Sequence, residues 1–273
     1  MNSLVAVTTG SGYLCGSYLN DVSVPHLIYT CVGTGLCAAS ASAFNQIFEV
    51  DRDKLMKRTQ RRPLPLGVLK TRDAYLFGIG SGIFGTLLLH STVDDTVSLL
   101  GASNIFLYSG VYTYLKQKSE LNTWMGGIVG SIPPVMGWIA AGGSIYSPHM
   151  YALGTILYLW QLPHFFALSY IHRRDYSRGG FQMVAINDES GIRSANLVHE
   201  YNVYLTLFPV ICVGTGLTTE YFLVPSSMAN VYLLYLSRKF IDDKTQQIAR
   251  KIFYCTLWHL PLVLGSYVYF AQI

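Results

Sequence analysis

The feature that most constrains this chain is a series of apolar runs that recurs along almost its whole length. Hydrophobic residues make up 51% of the sequence and charged residues 12%, which is about half the charged fraction of a soluble domain. We therefore predict an all-α, polytopic membrane protein, in which the Gly and polar residues inside the runs lie where helices pack together. The nine predicted spans are approximately residues 2–20, 27–48, 74–90, 97–115, 123–141, 150–171, 198–217, 221–237 and 252–271.

The charges between the runs predict which connections share a side of the membrane. All 19 Lys and Arg residues lie in the connections after the second, fourth, sixth and eighth runs. The positive-inside rule places these loops and the N-terminus in the cytoplasm or the mitochondrial matrix. No cleavable signal or Arg-rich transit pattern is visible ahead of the first span, so we expect that a presequence has been removed or was never present. The alternate connections carry only acidic charges, at Asp21, Asp94, Asp95 and Glu220.

Polar residues at helical spacing follow the second run, in the stretch NQIFEVDRDKLMKRTQRRPLP. Asn45, Glu49 and Asp53 are four residues apart and share one helical face. One carbonyl and two carboxylates suit a hard cation such as Mg²⁺. Arg58 and Arg62 follow at once, and guanidinium groups bind phosphate oxygens. The stretch predicts a site for Mg²⁺ and a diphosphate; the alternative is a charged loop that only anchors the span.

A second polar stripe closes the sixth run, if its helix continues past Pro163. Asp175 ends this stripe near the same basic membrane face as Glu49 and Asp53, so the two helix ends can converge on one cavity. There Asp175 is predicted to hold Mg²⁺ or to orient Arg173 or Arg174 toward the diphosphate. The alternative is an interfacial anchor. The residues of the stripe are Gln161, His164, Leu168, His172 and Asp175.

Four smaller features each leave two interpretations open. Lys116 ends the fourth run, where it can contact a phosphate or extend to the membrane surface. His164 is either a ligand or a packing histidine, and His259 is either a cofactor ligand or a core hydrogen-bonding group. The glycines between Asn122 and Trp138 favour close helix packing over contact with a prenyl chain.

These residues resemble the signatures of a known family. The pattern N-x-x-x-E-x-x-x-D-x-x-x-x-R-T-x-x-R-P-L, from Asn45 to Leu64, resembles the first signature of the UbiA-type intramembrane prenyltransferases. The blocks QLPHF, RRDYSRGG, NTW, IPPVMGW and WHLP are similar to those of the branch that farnesylates haem, most closely its mitochondrial form. The resemblance covers nearly the whole chain. It implies a single intramembrane domain over residues 1–273, with nine transmembrane helices around a central cavity.

The resemblance also implies an activity. A farnesyl group would pass from farnesyl diphosphate to a vinyl group of haem b, with Mg²⁺ as cofactor, giving haem O for haem A biosynthesis and cytochrome c oxidase assembly. The expected partners are these two substrates, the lipid bilayer and a downstream haem A synthase, with no nucleic acid. The expected location is the mitochondrial inner membrane, or the bacterial inner membrane in a prokaryote.

The resemblance gives each candidate site residue a role. Metal binding would fall to Glu49, Asp53 and Asp175. The residues expected in catalysis are Asn45, Glu49, Asp53, Arg58 and Asp175. The residues expected to bind substrate are Arg62, Lys116, His164, Arg173 and Arg174.

Two departures from the family pattern stand out. Glu49 replaces the Asp of much of the superfamily, and Asp175 lacks the second acid that usually accompanies it. Two rival functions follow from other interpretations of the same residues. One is the same fold acting on another aromatic acceptor, such as a quinone precursor. The other is a non-catalytic carrier that uses the acidic stripe as an ion site.

Overall fold

The computed structural model describes the backbone of residues 2–273 and the side chains of residues 4–18 and 20–273. This part of the chain is built from α-helices, with one isolated β-bridge between Thr218 and Ala271, so the all-α prediction is confirmed. The helices are α1 (Asn2–Gly16), α2 (Val24–Phe48), α3 (Val50–Leu55), α4 (Thr71–Thr92), α5 (Asp95–Phe106), α6 (Thr113–Leu115), α7 (Asn122–Ala140), α8 (Pro148–Ile171), α9 (Arg173–Arg178), α10 (Ile192–Gly214), α11 (Leu223–Asp242) and α12 (Gln246–Phe270).

The long helices of the described residues match the predicted spans in number and order. A π-helical turn (Leu107–Tyr112) joins α5 to α6, which gives nine long helical segments between residues 2 and 273. Four of them, α2, α4, α10 and α12, are long and apolar enough to cross a membrane. Others carry buried polar side chains, such as Gln161 and His164 in α8, which lower their hydropathy. The count of nine spans therefore stays a prediction.

Side-chain caps mark where several helices begin. Asp94 accepts hydrogen bonds from the Thr96 and Val97 N–H groups at the start of α5. At the start of α10, Asp188 accepts one from the Ser194 N–H at 2.7 Å. Burial alone would raise the pKa of Asp188, but its hydrogen bonds to Ser194 hold that pKa below its usual value. Such caps satisfy N–H groups that lack an intrahelical partner.

The helices form two compact units. The first contains the residues up to Ile145 together with Arg174–Gln182, and the second contains Tyr146–Arg173 and Met183–Ile273. In the first unit α2 packs along α4, and α1 packs along α7. In the second unit α8, α10, α11 and α12 pack on one another. The expectation of a single domain stays a prediction.

The contact between α1 and α7 depends on glycine. A Cβ at Gly137 would collide with the backbone carbonyl oxygen of Thr9, and a Cβ at Gly12 with that of Pro134. The two helix backbones are therefore in direct contact, which only residues without a side chain allow. Gly126 likewise faces the ring of Tyr112. Close packing is confirmed as the role of Gly126 and Gly137.

We expect Gly137→Ala to lower the melting temperature of the protein in detergent. The new methyl group would have to occupy the position of a backbone carbonyl. Overpacking lowers the free energy of unfolding by about 1–3 kcal/mol even where side chains can move aside. Gly35→Ala is the matched control, because nothing lies within 4 Å of its Cβ position in α2. That control should melt at or slightly above the parent temperature, since Ala favours a helix over Gly by about 1 kcal/mol. Equal melting temperatures for the two variants would contradict the direct contact.

Candidate functional site

The stripe Asn45, Glu49 and Asp53 lies at the junction of α2 and α3. Glu49 separates the two helices, but the Glu49 N–H donates to the Asn45 carbonyl and the Asp53 N–H to the Glu49 carbonyl. Helical spacing therefore continues through the junction. All three stripe residues are buried, with Asp53 0% exposed, while the Asp51 side chain beside them is 88% exposed. The predicted common face is confirmed.

The end of α6 faces this stripe. The Asn45 side-chain amide donates to the Thr113 hydroxyl at 2.9 Å. One turn further on, the Lys116 ammonium lies 3.0 and 3.3 Å from the two carboxylate oxygens of Glu49. Asn45 and Glu49 are four residues apart and Thr113 and Lys116 are three apart, so each pair lies on one face of its own helical segment and the two faces meet.

Lys116 has aromatic neighbours as well as an acidic partner. Its ammonium lies 4.7 Å from the ring centroid of Tyr112 and 5.6 Å from that of Phe181, within reach of cation–π attraction. Burial by itself would lower the pKa of Lys116, but the Glu49 carboxylate outweighs this effect and the pKa is raised. Lys116 is therefore charged at neutral pH.

The wide turn before α6 brings tyrosines close to this lysine. Leu107–Tyr112 is π-helical, and the rings of Tyr108 and Tyr112 lie 5.2 Å apart. π-Helical turns inside α-helices are frequent at functional sites. The sequence gives no sign of the turn, because its residues read as an ordinary apolar helix.

Asp53 is paired through only one of its two oxygens. Its Oδ2 accepts from the Arg62 guanidinium at 2.7 Å, whereas its Oδ1 is buried without a hydrogen-bond partner. A buried carboxylate oxygen of this kind calls for an explanation, since most such atoms are satisfied. Hard cations such as Mg²⁺ take carboxylate oxygens as ligands, so this oxygen is available to one. The residues present therefore fit the predicted Mg²⁺.

Asp175 lies in α9 and contacts the same cluster. All of α9 except Arg173 belongs to the first unit. The Asp175 Oδ2 accepts from the Arg58 backbone N–H at 3.2 Å, and its Oδ1 lies 3.5 Å from Arg178. Asp175 thus contacts the loop after α3 at Arg58, while the predicted convergence of the two helix ends on one cavity stays a prediction. Its partners were not predicted correctly, because Asp175 contacts Arg58 and Arg178 rather than Arg173 or Arg174. The Arg173 guanidinium instead lies 4.9 Å from the ring centroid of Tyr170.

Arg58 is held above the cluster by the residue after Asp175. Its guanidinium donates to the Tyr176 hydroxyl at 3.2 Å and lies 5.5 Å from the centroid of that ring. Of the two arginines predicted to bind phosphate, Arg62 is thus bonded to an acid and Arg58 to a neutral phenol. Arg58 can therefore exchange its partner for an anion without leaving a carboxylate unpaired.

The predicted metal ligands are not all close enough to form one site. Among residues whose side chains the structure describes, no group of three His, Cys, Asp or Glu could hold a metal ion. Glu49 and Asp53 form a pair, and Asp175 stands apart from it. Mg²⁺ typically takes one or two protein carboxylates and completes its shell with phosphate oxygens and water. Two carboxylates therefore fit a metal that arrives with a diphosphate.

His164 lies in the second unit, within a helix that does continue past Pro163. Its ring stacks on Trp160 and Phe253, with centroids 5.1 and 4.6 Å apart, and its Nδ1 is 2.8 Å from the Thr256 hydroxyl. These contacts favour the packing interpretation, and substrate binding by His164 stays a prediction. His259 also has the expected core hydrogen bond, because its Nε2 lies 2.7 Å from Asn230 Oδ1.

A separate cleft of about 440 Å³ lies between α2 and α4 in the first unit. Its walls are mostly apolar, with Ala43, Leu64 and Phe77 among them, and Gln46 and Asp73 are polar exceptions. None of the three stripe residues lines it. The cleft is therefore not the charged site.

Arg52 is the main residue that the sequence analysis missed. Its guanidinium donates to the carbonyls of Gly179 and Gly180, at 2.7 and 2.9 Å, and to the Gln117 side chain at 3.1 Å. It also lies 5.6 Å from the centroid of Phe181. Arg52 therefore fastens the segment after α9 to α3. The sequence indicated only a basic loop residue, because backbone acceptors 127 residues away leave no pattern.

Comparisons with known proteins agree with the sequence signatures. The UbiA prenyltransferase family matches residues 4–260. Over 266 residues the chain is 39% identical to the mitochondrial protoheme IX farnesyltransferase of Arabidopsis thaliana, a match that covers 97% of this chain and 62% of that protein. The corresponding human protein is 39% identical over 264 residues, covering 97% of this chain and 58% of its own length. The chain thus spans about six-tenths of the length of these relatives.

Solved structures share the fold at low sequence identity. A digeranylgeranylglyceryl phosphate synthase aligns with a TM-score of 0.79 and 15% identity, over 97% of this chain and 92% of its own. A UbiA homologue from Archaeoglobus fulgidus, bound to DMAPP and Mg²⁺, aligns with a TM-score of 0.63 and 10% identity, over 97% and 96% of the two chains. These likenesses establish the fold.

We expect Arg52→Met to release the segment that follows α9 without unfolding the protein. Charge-assisted hydrogen bonds contribute about 1.5–3 kcal/mol when buried, and partial solvent exposure of Arg52 places its loss at the low end. Trypsin cleavage after Arg178 should then be roughly tenfold faster, because cleavage follows the population of the open segment. Arg72→Met is the matched control, since the Arg72 side chain is 81% exposed and pairs only with the adjacent Asp73. Unchanged cleavage in Arg52→Met would show that other contacts hold the segment.

Proposed function

This chain belongs to the UbiA prenyltransferase family, and we propose that it transfers the farnesyl group of farnesyl diphosphate to a vinyl group of haem b. The products are haem O and diphosphate, and a water molecule supplies the new hydroxyl group. The observation that supports binding of the diphosphate donor is the buried pair of carboxylates, Glu49 and Asp53. Three basic residues lie near this pair, namely Arg58, Arg62 and Lys116. The acceptor rests on relatives that are 39% identical and named protoheme IX farnesyltransferase.

The reaction begins when the allylic C–O bond breaks and both electrons leave with the diphosphate. Glu49 and Asp53 would hold Mg²⁺, as expected from the free Oδ1 of Asp53. A bound Mg²⁺ supplies positive charge that stabilises the leaving diphosphate. Arg58 and Arg62 add guanidinium groups whose planar shape matches phosphate oxygens. Such groups act most strongly when they are fixed before the charge develops.

The farnesyl cation left behind must survive until the acceptor reacts. Exclusion of water from the site prevents its hydrolysis, and the faces of aromatic rings attract cations. Tyr108 and Tyr112 lie beside Lys116 and the stripe, where they can serve this purpose. The vinyl group of haem then attacks the cation, and water adds to the new carbon cation and loses a proton.

The remaining site residues have narrower proposed roles. Asn45 would orient the first stripe through Thr113, and Asp175 would position Arg58 or contribute to metal binding. Lys116, Arg173 and Arg174 would contact the diphosphate, while His164 would contact the acceptor. Contacts in the structure support these roles for Asn45, which donates to Thr113, for Asp175, which accepts from the Arg58 backbone, and for Lys116, which lies against Glu49.

We also propose the membrane setting that the family and the charges favour. The protein would be a single domain of nine transmembrane helices around a central cavity in the mitochondrial inner membrane. Its basic loops and N-terminus would face the matrix, and a haem A synthase would receive the product. The support is the mitochondrial naming of the relatives and the confinement of all 19 basic residues to alternate connections.

The proposed function is tested by incubating the full chain with haem b, farnesyl diphosphate and Mg²⁺, and then measuring the mass of the haem. Haem O should form, and Glu49→Gln and Asp53→Asn should each lose most of the activity while the protein still inserts and folds. Asp175→Asn should be about tenfold to hundredfold slower, because one charge-assisted contact is lost. Unchanged haem, with farnesyl transfer to a quinone precursor instead, would reassign the acceptor. If no diphosphate is released, the proposal that the protein is a prenyltransferase is wrong.

Sidedness is tested with single cysteines and an impermeant thiol reagent. Probes at Lys70 and Lys244 should react from the matrix side, and probes at Asp94 and Tyr146 from the opposite side. Variants in which all five native cysteines are first replaced provide the background. Reaction of the probes at Lys70 and Asp94 from one side would show that the predicted spans between them are miscounted.

A further inference from the structure

Glu49 and Asp53 differ in how completely basic side chains of the protein neutralise their charges. Lys116 lies within 3.3 Å of both oxygens of Glu49. Arg62 engages only one oxygen of Asp53 and leaves the other without a partner. Asp53 can therefore accept a metal while it keeps Arg62. Glu49 is less available to a metal, because a positively charged ammonium group already lies against both of its oxygens.

We propose that Lys116 is an exchangeable counter-ion that couples metal binding to diphosphate binding. Before the diphosphate arrives, Lys116 blocks Glu49 and keeps the metal affinity low. When the diphosphate binds, Lys116 moves to its oxygens and releases Glu49 to the metal. The inference rests on the proposed function, in that it takes the site to be one for a metal and a diphosphate.

Electrostatics requires the exchange. A divalent cation at Glu49 would meet the Lys116 ammonium at a few ångströms, and like charges at such distances repel strongly where water is scarce. The side chains of Glu49 and Lys116 are only 3% and 13% exposed, so solvent screens them weakly. Metal and ammonium therefore compete for the same carboxylate.

Lys116 has an alternative counter-charge only when an anion is present. Tyr112 and Phe181 attract its ammonium, but neutral rings cannot replace a carboxylate as a counter-charge. A diphosphate can, and the flexible four-carbon stem of lysine allows the movement. Lysine suits this role better than arginine, whose fork would hold both oxygens of Glu49 in a fixed bidentate geometry.

The small number of protein ligands available to the metal also supports coupling between metal binding and diphosphate binding. No third acid lies close enough to complete a site among the described side chains, so Mg²⁺ needs phosphate oxygens to fill its shell. Each ligand therefore improves the site for the other. Linkage makes this effect reciprocal, so the diphosphate must raise metal affinity by the factor by which the metal raises diphosphate affinity.

The test is a titration of the full chain in detergent with Mn²⁺, in which free Mn²⁺ is followed by electron paramagnetic resonance. Titrations are run with and without inorganic diphosphate, and the Mn²⁺–diphosphate complex in buffer is measured separately. The parent should bind Mn²⁺ weakly alone and at least about tenfold more tightly with diphosphate, within the usual range of coupling between sites. Lys116→Met should bind Mn²⁺ alone more tightly than the parent and should lose most of the enhancement.

Control variants separate this effect from a general change in charge or stability. Lys118→Met removes an exposed lysine two residues away and should behave like the parent. Lys116→Arg keeps the ion pair and should also bind Mn²⁺ weakly alone. Lys116→Gln keeps a hydrogen-bond donor without the charge, and it replaces Lys116→Met if the latter does not fold.

The outcomes distinguish this inference from the proposed function. If a folded Lys116→Met or Lys116→Gln protein binds Mn²⁺ alone no more tightly than the parent, Lys116 is not the exchangeable counter-ion, although the proposed function can still hold. If Mn²⁺ binds to no variant with or without diphosphate, the metal site is absent and both ideas fail. If Mn²⁺ and diphosphate binding are coupled as expected but no haem O forms, this inference holds and the proposed acceptor is wrong.

Discussion

The first unit is organised around the burial of two carboxylates at the junction of α2 and α3. Removing a carboxylate from water costs several kcal/mol unless a cation and hydrogen bonds compensate. Glu49 and Asp53 are almost fully buried, so nearby segments must bring cations to them. The end of α6 brings Lys116, and the loop after α3 brings Arg62. The arrangement of these segments is a consequence of that electrostatic requirement.

The compensation is incomplete in a way that favours a binding site over a structural ion pair. Replacing a buried ion pair by packed apolar residues is often neutral or stabilising, so stability alone does not explain these charges. The free Oδ1 of Asp53 also adds a cost that a purely structural pair would avoid. A ligand that binds both charges explains the presence of the pair and the unsatisfied atom together.

The sequence predicted those parts of the site that depend on local periodicity. Helical spacing placed Asn45, Glu49 and Asp53 on one face, and loop charge indicated that Asp175 lies near the loop after α3, where it contacts Arg58. It could not predict that Arg52 would bond to backbone carbonyls beyond α9, because every residue has such carbonyls. The π-helical turn and the backbone contact at Gly137 were equally hidden, since they depend on the path of the chain in three dimensions. Hydropathy counted nine runs, whereas four helices of the described residues are both long and apolar enough to cross a membrane.

The charged cluster accounts for the donor half of the proposed reaction and leaves the acceptor free to vary. A diphosphate needs cations and a metal, and the residues from Asn45 to Arg62 with Lys116 and Asp175 supply groups for both. The allylic cation formed there would alkylate any electron-rich π-system held beside it. Under the proposed function, selection of haem over another aromatic acceptor must therefore come from residues outside the cluster.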